Sequence, residues 1–198
     1  NYKHAKGGYV EHVPDSLTKA FYTIGGREVR DGGGIKPDVE VKPDSVPNIA
    51  FYLAGARDSN EVMLNYEIDY IAKHSTIAPA EEFALSDADY DEFKERVLKA
   101  DFKYDRETEK YLKDLEKLAK FEGYYDDAKV EFEALKKKLS HNVAKDLDYN
   151  KETIKHLLEN DIVAAYYYQG GAIRNSLRYD KQVKEAMKLL NSPEEYQK

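Results

Sequence analysis

Cysteine is absent from the 198 residues of this chain. Its absence excludes a disulfide framework, a thiol nucleophile and a metal site built on thiolates, and it leaves the cellular compartment undecided. A chain of this length can still bury a core without covalent cross-links, because it suffices for one ordinary domain or for one domain and part of another.

Long apolar runs and an excess of basic residues are missing as well. No stretch approaches the roughly 18 to 20 consecutive apolar residues that span a bilayer, and the N-terminal residues do not form a signal peptide. The net charge is -7. Phosphate binding needs a basic face, so the sequence predicts no nucleic-acid partner. The chain starts at Asn1 instead of Met and without a domain boundary, and we therefore expect a fragment of a longer protein.

Glycine is concentrated near the N-terminus, where seven of the eleven glycines precede Asp38. The β-prone run 17–23, the pair Gly25–Gly26 and the returning run 27–30 predict two short strands joined by a turn. A lone hairpin is marginally stable in water, so we expect this segment to pack on the helical half or on a sheet outside the chain. Residues 1–45 are accordingly assigned to strands and Gly/Pro turns.

From Pro47 onward, apolar residues recur three and four positions apart, which is typical of amphipathic helices. Ser86 with Asp89 three residues later resembles a capping box. The predicted fold is mainly α, a helical bundle over residues 46–198 preceded by a short β-hairpin-like segment. Six or seven helices are expected, near 47–56 and 60–74 and after Ser86, Asp105, Gly123, Asn150 and Asp180, with Asp105, Asn150 and Asp180 as caps.

The helices on either side of Gly123 are expected to form an antiparallel hairpin. Gly170–Gly171, in the long helix after Asn150, predicts a kink or a close packing contact, since each helical Gly costs about 1 kcal/mol relative to Ala. The stripes expected to be buried in the hairpin are Leu112, Leu115, Leu118 and Ala119 in the first helix, and Ala128, Phe132, Leu135, Leu139 and Val143 in the second.

Ser16 and Lys19 match the Ser-x-x-Lys spacing in which a lysine accepts the proton of a serine nucleophile. The match precedes a β-type run instead of opening a helix, and the Ser-Asp-Asn and Lys-Thr-Gly partners of penicillin-binding enzymes are absent. We interpret the pair as a turn serine and a surface lysine. The alternative, an autonomous hydrolase, requires a lysine buried deeply enough to lose its proton near neutral pH.

Asp87, Asp89 and Asp91 alternate like the first ligands of a calcium loop. Glu92 and Leu98 stand where that loop needs a Gly and a bidentate Glu. Acidic residues at a helix N-terminus, where the helix dipole favours them, explain the cluster better.

The remaining motifs also indicate structural roles and not catalytic or ligand-binding ones. Gly32–Gly33–Gly34 predicts a turn, since no Gly-Lys-Ser/Thr sequence or helix start follows to bind an anion. Glu152 and His156 share a helix face and are interpreted as a surface contact. None of the five histidines has a zinc-site spacing, and the sequence predicts no catalytic residue, cofactor site or metal site in this segment; the histidines are His4, His12, His74, His141 and His156.

Tyrosine is unusually frequent, with 17 residues. Tyr166–Tyr167–Tyr168 and Tyr124–Tyr125 are the two clusters. Tyrosine-rich surfaces suit protein interfaces, but we favour the interpretation that these rings fill the core and rim of the bundle.

The order of several segments resembles the carboxyl-terminal processing, or tail-specific, serine peptidases. Residues 15–39, with Gly26–Arg27 in a turn and a Gly-Ile-Lys-Pro-Asp loop at 34–38, are similar to the segment that closes the peptidase core in that family. Tyr2, His4 and residues 13–17 are similar to a subgroup with a large helical extension. Five further segments are similar to that helical extension; they are residues 80–83, 89–93, 136–141, 162–163 and 166–171.

The resemblance implies a Ser/Lys-dyad endopeptidase that cleaves near the C-termini of proteins in the bacterial envelope and holds the substrate tail with a PDZ domain. The family's serine follows a run of small residues and its lysine stands between glycines, and neither pattern occurs between Asn1 and Lys198. We therefore carry over no catalytic residue and expect Ser16 and Lys19 to differ from the dyad.

The expected role is a non-catalytic scaffold for assembly, substrate access or support of the core, in the periplasm or cell envelope. The expected partners are the rest of the same peptidase, its protein substrates and, in a homo-oligomer, further copies. The alternative is a free-standing helical binding or dimerisation module.

Overall fold

A computed structural model describes residues 15–31, 37–42, 45–55 and 61–196. The chain divides into two compact units, Asn1–Lys42 and Pro43–Lys198.

The first unit contains an antiparallel hairpin, as predicted. Strands β1 (Ala20–Tyr22) and β2 (Glu28–Arg30) pair with Phe21 opposite Val29. Gly26 has φ +80°, a value that favours glycine, and its N–H donates to the Thr23 carbonyl at 2.9 Å. The side chains of both strands are exposed. Within the described residues the hairpin therefore has no apolar core of its own, which agrees with the marginal stability expected of two strands.

The second unit is helical, so the predicted fold class is confirmed. Its helices within the described ranges are α1 (Asn48–Ala54), α2 (Val62–Lys73), α3 (Asp87–Lys99), α4 (Glu107–Glu122), α5 (Lys129–Lys138), α6 (Val143–Tyr149), α7 (Lys151–Ser176), α8 (Lys181–Leu190) and α9 (Pro193–Tyr196).

Helices α1, α2, α3, α6 and α7 pack around the main core. The loop before α3 adds Phe83 and Leu85 to that core. Burial of each large apolar side chain in this core stabilises the fold by about 1.5–3 kcal/mol. Its largest fully buried side chains include Tyr66, Tyr90, Phe93, Leu147, Ile154, Leu158 and Ile162.

Two predicted helix starts are confirmed in detail. Ser86 Oγ accepts from the Asp89 N–H at 3.1 Å, and the Asp89 carboxylate accepts from the Ser86 N–H at 3.1 Å, which is a complete capping box. Asp180 Oδ1 accepts from the N–H groups of Gln182 and Val183 at the start of α8.

One predicted cap is wrong, and another is right in position only. Arg106, and not Asp105, is the N-cap of α4, and the Asp105 carboxylate accepts a hydrogen bond from the Tyr52 hydroxyl at 3.1 Å. Asn150 stands at the N-cap position of α7 as predicted, but its side chain makes no capping hydrogen bond, and its amide donates to the Asp146 carbonyl at 2.7 Å. Both side chains are thus hydrogen-bonded away from the helix that the local pattern assigned them to cap.

The helix expected to continue to Val143 ends at Lys138. The Arg106 guanidinium donates to the carbonyl of Leu139 at 2.9 Å and satisfies a group that an extended helix would bond internally. Asn142 then caps the separate helix α6 by accepting from the Lys145 N–H at 3.0 Å.

The predicted distortion in α7 is confirmed. Tyr168 has φ 57° and ψ -169°, which breaks the helical geometry at that residue. A Cβ at Gly171 would lie 2.2 Å from the Cβ of Tyr167, so only glycine fits there.

Helices α4 and α5 form the predicted hairpin. Gly123 ends α4 at φ 82°, and Glu116 binds Lys120 and Lys136, each at 2.8 Å, so that one carboxylate joins the two helices. These lysines lower the pKa of Glu116 to about 2, with Lys120 contributing most. Leu112 and Phe132 are the buried residues of the hairpin, and neither belongs to the main core.

The stripe expected to be buried in α4 is only partly so. Leu115 and Leu118 are 52% and 51% exposed. The helical period is correct, but both leucines remain about half in solvent.

Candidate functional site

The Ser16–Lys19 pair lies in the first unit, where a single 3-10 turn (Asp15–Leu17) precedes β1. Both side chains are exposed. The Lys19 backbone N–H donates to the Asp31 carboxylate at 2.7 Å, so this contact uses the main chain and not the ammonium group. The geometry thus lacks the buried lysine that an autonomous hydrolase would need.

The three alternating aspartates do not converge. Asp89 belongs to the capping box, and Asp87 binds Lys151 at 2.9 Å and Lys155 at 3.4 Å on α7. Hydrogen bonds from these lysines lower the pKa of Asp87. Asp91 is exposed. In the part of the chain that the structure describes, no group of three His, Cys, Asp or Glu side chains could hold a metal ion.

The described histidines make separate local contacts. His74 Nδ1 lies 2.8 Å from the Tyr70 carbonyl oxygen, and His141 Nε2 lies 3.7 Å from Asp146. His156 stacks on Tyr179 with ring centroids 3.4 Å apart, and burial lowers its pKa. His4, His12 and Gly32–Gly34 lie outside the described residues.

Two of the three clustered tyrosines on α7 anchor a loop. The Tyr166 hydroxyl donates to the His74 carbonyl, and the Tyr167 hydroxyl donates to the Ile77 carbonyl at 3.2 Å. These bonds satisfy backbone groups of the loop after α2. Tyr168, in contrast, is 80% exposed.

Two buried polar side chains on α7, Glu159 and Asn175, form a joint with the loop before α3, which no pattern in the sequence indicates. Glu159 is 1% exposed, and its carboxylate accepts hydrogen bonds from the Leu85 N–H at 2.9 Å and the Tyr179 hydroxyl at 2.7 Å. Asn175, also 1% exposed, donates from its side-chain amide to the carbonyls of Ala80 at 2.7 Å and Phe83 at 2.9 Å. The joint fixes the loop before α3 on α7.

Glu67 on α2 is a second buried carboxyl. It is 7% exposed, and its Oε1 has no hydrogen-bond partner within the described ranges. Burial, with a smaller contribution from Asp161, raises the pKa of Glu67 to about 8. The carboxyl is therefore protonated at neutral pH in the folded state.

A groove of about 630 Å³ lies between α1 and the start of α4. Phe51 and Tyr52 line one side and α4 lines the other. Four basic and four acidic residues balance along it, so it has no net charge to select an ion; they are Arg106, Lys110, Lys113, Lys117, Asp105, Glu107, Glu109 and Asp114.

The largest change from the sequence expectation is on the surface of α4. Tyr111, Leu115, Leu118 and Phe121 are spaced so that they share one face, and they are 66%, 52%, 51% and 89% exposed. This arrangement offers a contact surface for a protein and places no nucleophile, base or ligand set together. The exposed face of α4, defined by these four residues, is the candidate functional site.

The family comparison identifies the helical unit. A family model described as "Probable PDZ-protease, C-terminal helical domain" matches residues 49–190. The chain belongs to this family. Comparisons with curated proteins and with solved structures find no match.

The match to the PDZ-protease helical domain begins at Ile49 in α1 and ends at Leu190, the last residue of α8. It therefore includes the main core, the buried joint and the α4–α5 hairpin. No helix in the described part of this domain is long and apolar enough to cross a membrane.

Proposed function

We propose that the chain is the C-terminal segment of a carboxyl-terminal processing serine endopeptidase, and that this segment is a non-catalytic scaffold for assembly or substrate access. The observation that carries the proposal is the match of residues 49–190 to the C-terminal helical domain of a PDZ-protease. The resemblance of residues 15–39 to the end of a tail-specific peptidase core supports the finer assignment.

The scaffold role is supported by how the domain uses its polar groups. The buried carboxylate of Glu159 and the buried amide of Asn175 are both bonded to the chain itself, on Leu85 and on the carbonyls of Ala80 and Phe83. Such contacts hold a rigid body together and leave no reactive atom facing a substrate. In the proposed enzyme, the Ser/Lys dyad and the PDZ domain that holds the substrate tail belong to the rest of the peptidase.

The test is peptidase activity on an unstructured protein with an apolar C-terminus, with products identified by mass spectrometry. The purified 198-residue chain is compared with the full-length peptidase, each with and without Ser16→Ala. We expect only the two full-length proteins to cleave, at equal rates, because Ser16 is exposed and outside the proposed dyad. Cleavage by the isolated chain that is abolished by Ser16→Ala would overturn the proposal.

The same assignment places the full-length peptidase in the periplasm or cell envelope. Fractionation of cells that produce it from its own gene tests this part separately. Recovery with envelope or periplasmic markers is expected, and recovery with cytoplasmic markers contradicts the location without bearing on the scaffold role.

A free-standing binding or dimerisation module is the second candidate. The exposed face of α4 favours it, because apolar side chains left in solvent on one helix face commonly mark an interaction surface. The activity of the full-length peptidase decides between the two: a full-length protein with no peptidase activity favours the module.

A further inference from the structure

The α4–α5 hairpin is connected to the main core by two short segments of chain. The chain enters the hairpin through residues 100–106 and leaves it through residues 139–142. The hairpin's own buried residues, Leu112 and Phe132, lie outside the main core. Contacts that fix the two connecting segments to the core therefore determine how firmly the hairpin, and with it the exposed face of α4, is held.

Three polar side chains meet where these two segments reach the core. In the entering segment, the Tyr104 hydroxyl donates to Oδ2 of Asp146 on α6 at 2.9 Å. In the leaving segment, the His141 ring stands edge-on to the Tyr104 ring, with centroids 4.8 Å apart. His141 Nε2 lies 3.7 Å from the same Asp146 oxygen. One carboxylate thus faces both segments.

Two of these three groups are already fixed to the core. Leu147, which follows Asp146 on α6, is fully buried in the core, and its carbonyl accepts from the Tyr90 hydroxyl at 2.8 Å. Tyr104 packs against the same core and is hydrogen-bonded to Asp146. His141 is the third group, and its link to Asp146 is incomplete.

The His141 ring has an unused polar atom. Nε2 is buried and has no hydrogen-bond partner within the described residues, and such an atom lowers stability. Its distance to Asp146, 3.7 Å, is too long for a hydrogen bond. A shift of about 1 Å would shorten it to roughly the 2.7–2.9 Å of a charge-assisted hydrogen bond. A proton on the imidazole would supply the attraction, because the imidazolium is a cation with N–H donors on both nitrogens.

The other groups of this cluster are compatible with such a pair. Burial and the hydrogen bond to Asp146 raise the pKa of Tyr104, so its hydroxyl stays a neutral donor while histidines titrate. Arg106 opposes a positive charge here and Glu109 favours it; both act on Tyr104. Arg106 and Glu109 lie 3.7 Å apart, so their effects largely cancel.

The charged groups further out are screened or occupied. Lys138 and Lys145, which flank this region along the chain, are exposed, so water and salt screen them. The Asp105 carboxylate accepts from the Tyr52 hydroxyl at 3.1 Å. Asp146 is therefore the anion that the cluster presents to His141.

We propose that His141 is a pH-sensitive link, which gains a proton in mildly acidic solution, pairs with Asp146 and fixes the base of the α4–α5 hairpin to α6. The pair needs a protonated histidine and an ionised aspartate. Its stabilisation is therefore present in mild acid and is lost as the pH rises and the histidine releases its proton. The proposal does not depend on the peptidase assignment.

Hydrogen–deuterium exchange of the 198-residue chain tests the link. Exchange is followed by mass spectrometry at about pH 5.5 and pH 8, on either side of the range in which histidines titrate, and is corrected for the intrinsic effect of pH on amides. We expect the wild-type amides of α4 and α5 to be about 10-fold more protected at the lower pH, which is the size of one hydrogen bond between charged groups.

Four variants assign this ratio of protection to one pair of residues. His141→Gln cannot gain a charge, and Asp146→Asn keeps an oxygen that accepts from Tyr104 but removes the negative charge; each should abolish the 10-fold ratio. His156→Gln replaces another partly buried histidine, and Asp105→Asn neutralises another carboxylate at the base of the hairpin. Both of these controls should keep the wild-type ratio.

Tyr104→Phe separates the pH effect from a merely structural one. It removes the hydrogen bond to Asp146 at every pH, so protection of the hairpin should fall by the same factor at both pH values while the ratio stays. Glu67 is unchanged in all of these proteins, so its own pH dependence is common to them and cancels.

A wild-type hairpin that is equally protected at the two pH values would overturn the proposal. So would a ratio that survives in His141→Gln or in Asp146→Asn, or one that His156→Gln or Asp105→Asn also abolishes. If His141→Gln fails to fold, Asp146→Asn decides alone, because it removes the charge and keeps the acceptor for Tyr104.

Discussion

The carboxylate of Glu159 accepts a hydrogen bond from the backbone N–H of Leu85, a residue 74 positions earlier, at 2.9 Å. The other carboxylate oxygen accepts from the Tyr179 hydroxyl at 2.7 Å. One buried side chain on α7 thereby joins the loop before α3 to the segment before α8. In the proposed scaffold, this joint keeps α3 and α7 in register.

Replacing Glu159 should destabilise the domain strongly. Glu159→Ala leaves the Leu85 N–H and the Tyr179 hydroxyl without their acceptor, at a cost of about 3 kcal/mol in the free energy of unfolding. Glu159→Gln keeps one acceptor oxygen and the shape of the side chain, so its loss in the free energy of unfolding should be no more than about half as large. Urea denaturation measures both, and an equal loss in the two variants would show that hydrogen bonding is not the main contribution.

The buried carboxyl of Glu67 makes stability depend on pH. Its pKa is about 8 when folded and 4.5 ordinarily, so the unfolded chain releases this proton first. This contribution to stability is complete below pH 4.5 and is lost as pH rises through about 8. The loss is of the order of 3–5 kcal/mol, since one pKa unit corresponds to about 1.4 kcal/mol.

Glu67→Gln tests this directly, because its amide cannot ionise. We expect the variant to be more stable than wild type above pH 8, with the difference shrinking towards pH 5. Asp87, Glu92 and Glu116 have lowered pKa values, which make the free energy of unfolding rise with pH. These three groups are present in both proteins, so their effect cancels in the difference. A stability difference that does not change with pH would contradict the assignment.

Tyr168 occupies backbone geometry that suits glycine. At φ 57° and ψ -169°, a residue with a Cβ is strained by about 1–3 kcal/mol. The Tyr168 ring is 80% exposed, so its packing contributes little stability. Tyr168→Gly should therefore raise stability by about 1 kcal/mol after the entropy cost of glycine. Thermal unfolding measures the gain.

Two controls separate strain from loss of the ring. Tyr168→Ala keeps a Cβ and should bring no gain. Gln169→Gly, one residue further along α7, should cost about 1 kcal/mol because it adds a glycine to a helix without relieving strain. A gain in the alanine variant would mean that removing the ring, and not the backbone strain, is responsible.

The two adjacent glycines of α7 should respond oppositely to alanine. A Cβ at Gly171 would lie 2.2 Å from the Tyr167 Cβ, so Gly171→Ala must move a helix turn and should cost about 2 kcal/mol or more. At Gly170 the nearest atom is an Arg174 nitrogen at 3.7 Å, and Gly170→Ala should be neutral or stabilising by up to about 1 kcal/mol. Chemical denaturation of the pair checks the contrast, and similar values would rule out the close contact.

The sequence by itself determined the features that arise from residues a few positions apart. The capping box at Ser86, the Asp180 cap, the turn at Gly26 and the distortion of α7 near Gly170–Gly171 were all predictable. Each depends on local geometry, since a cap or turn forms within a span of about four residues. The helical class followed from the same short-range periodicity.

Only the tertiary structure decided which helix faces and polar groups are covered. Leu115 and Leu118 have the spacing of buried residues but remain about half exposed, whereas Leu112 beside them is buried. Glu159 was unrecognisable as a core residue because its partner Leu85 is 74 positions away. Burial depends on what distant segments bring to a surface, and a short-range pattern cannot supply that information.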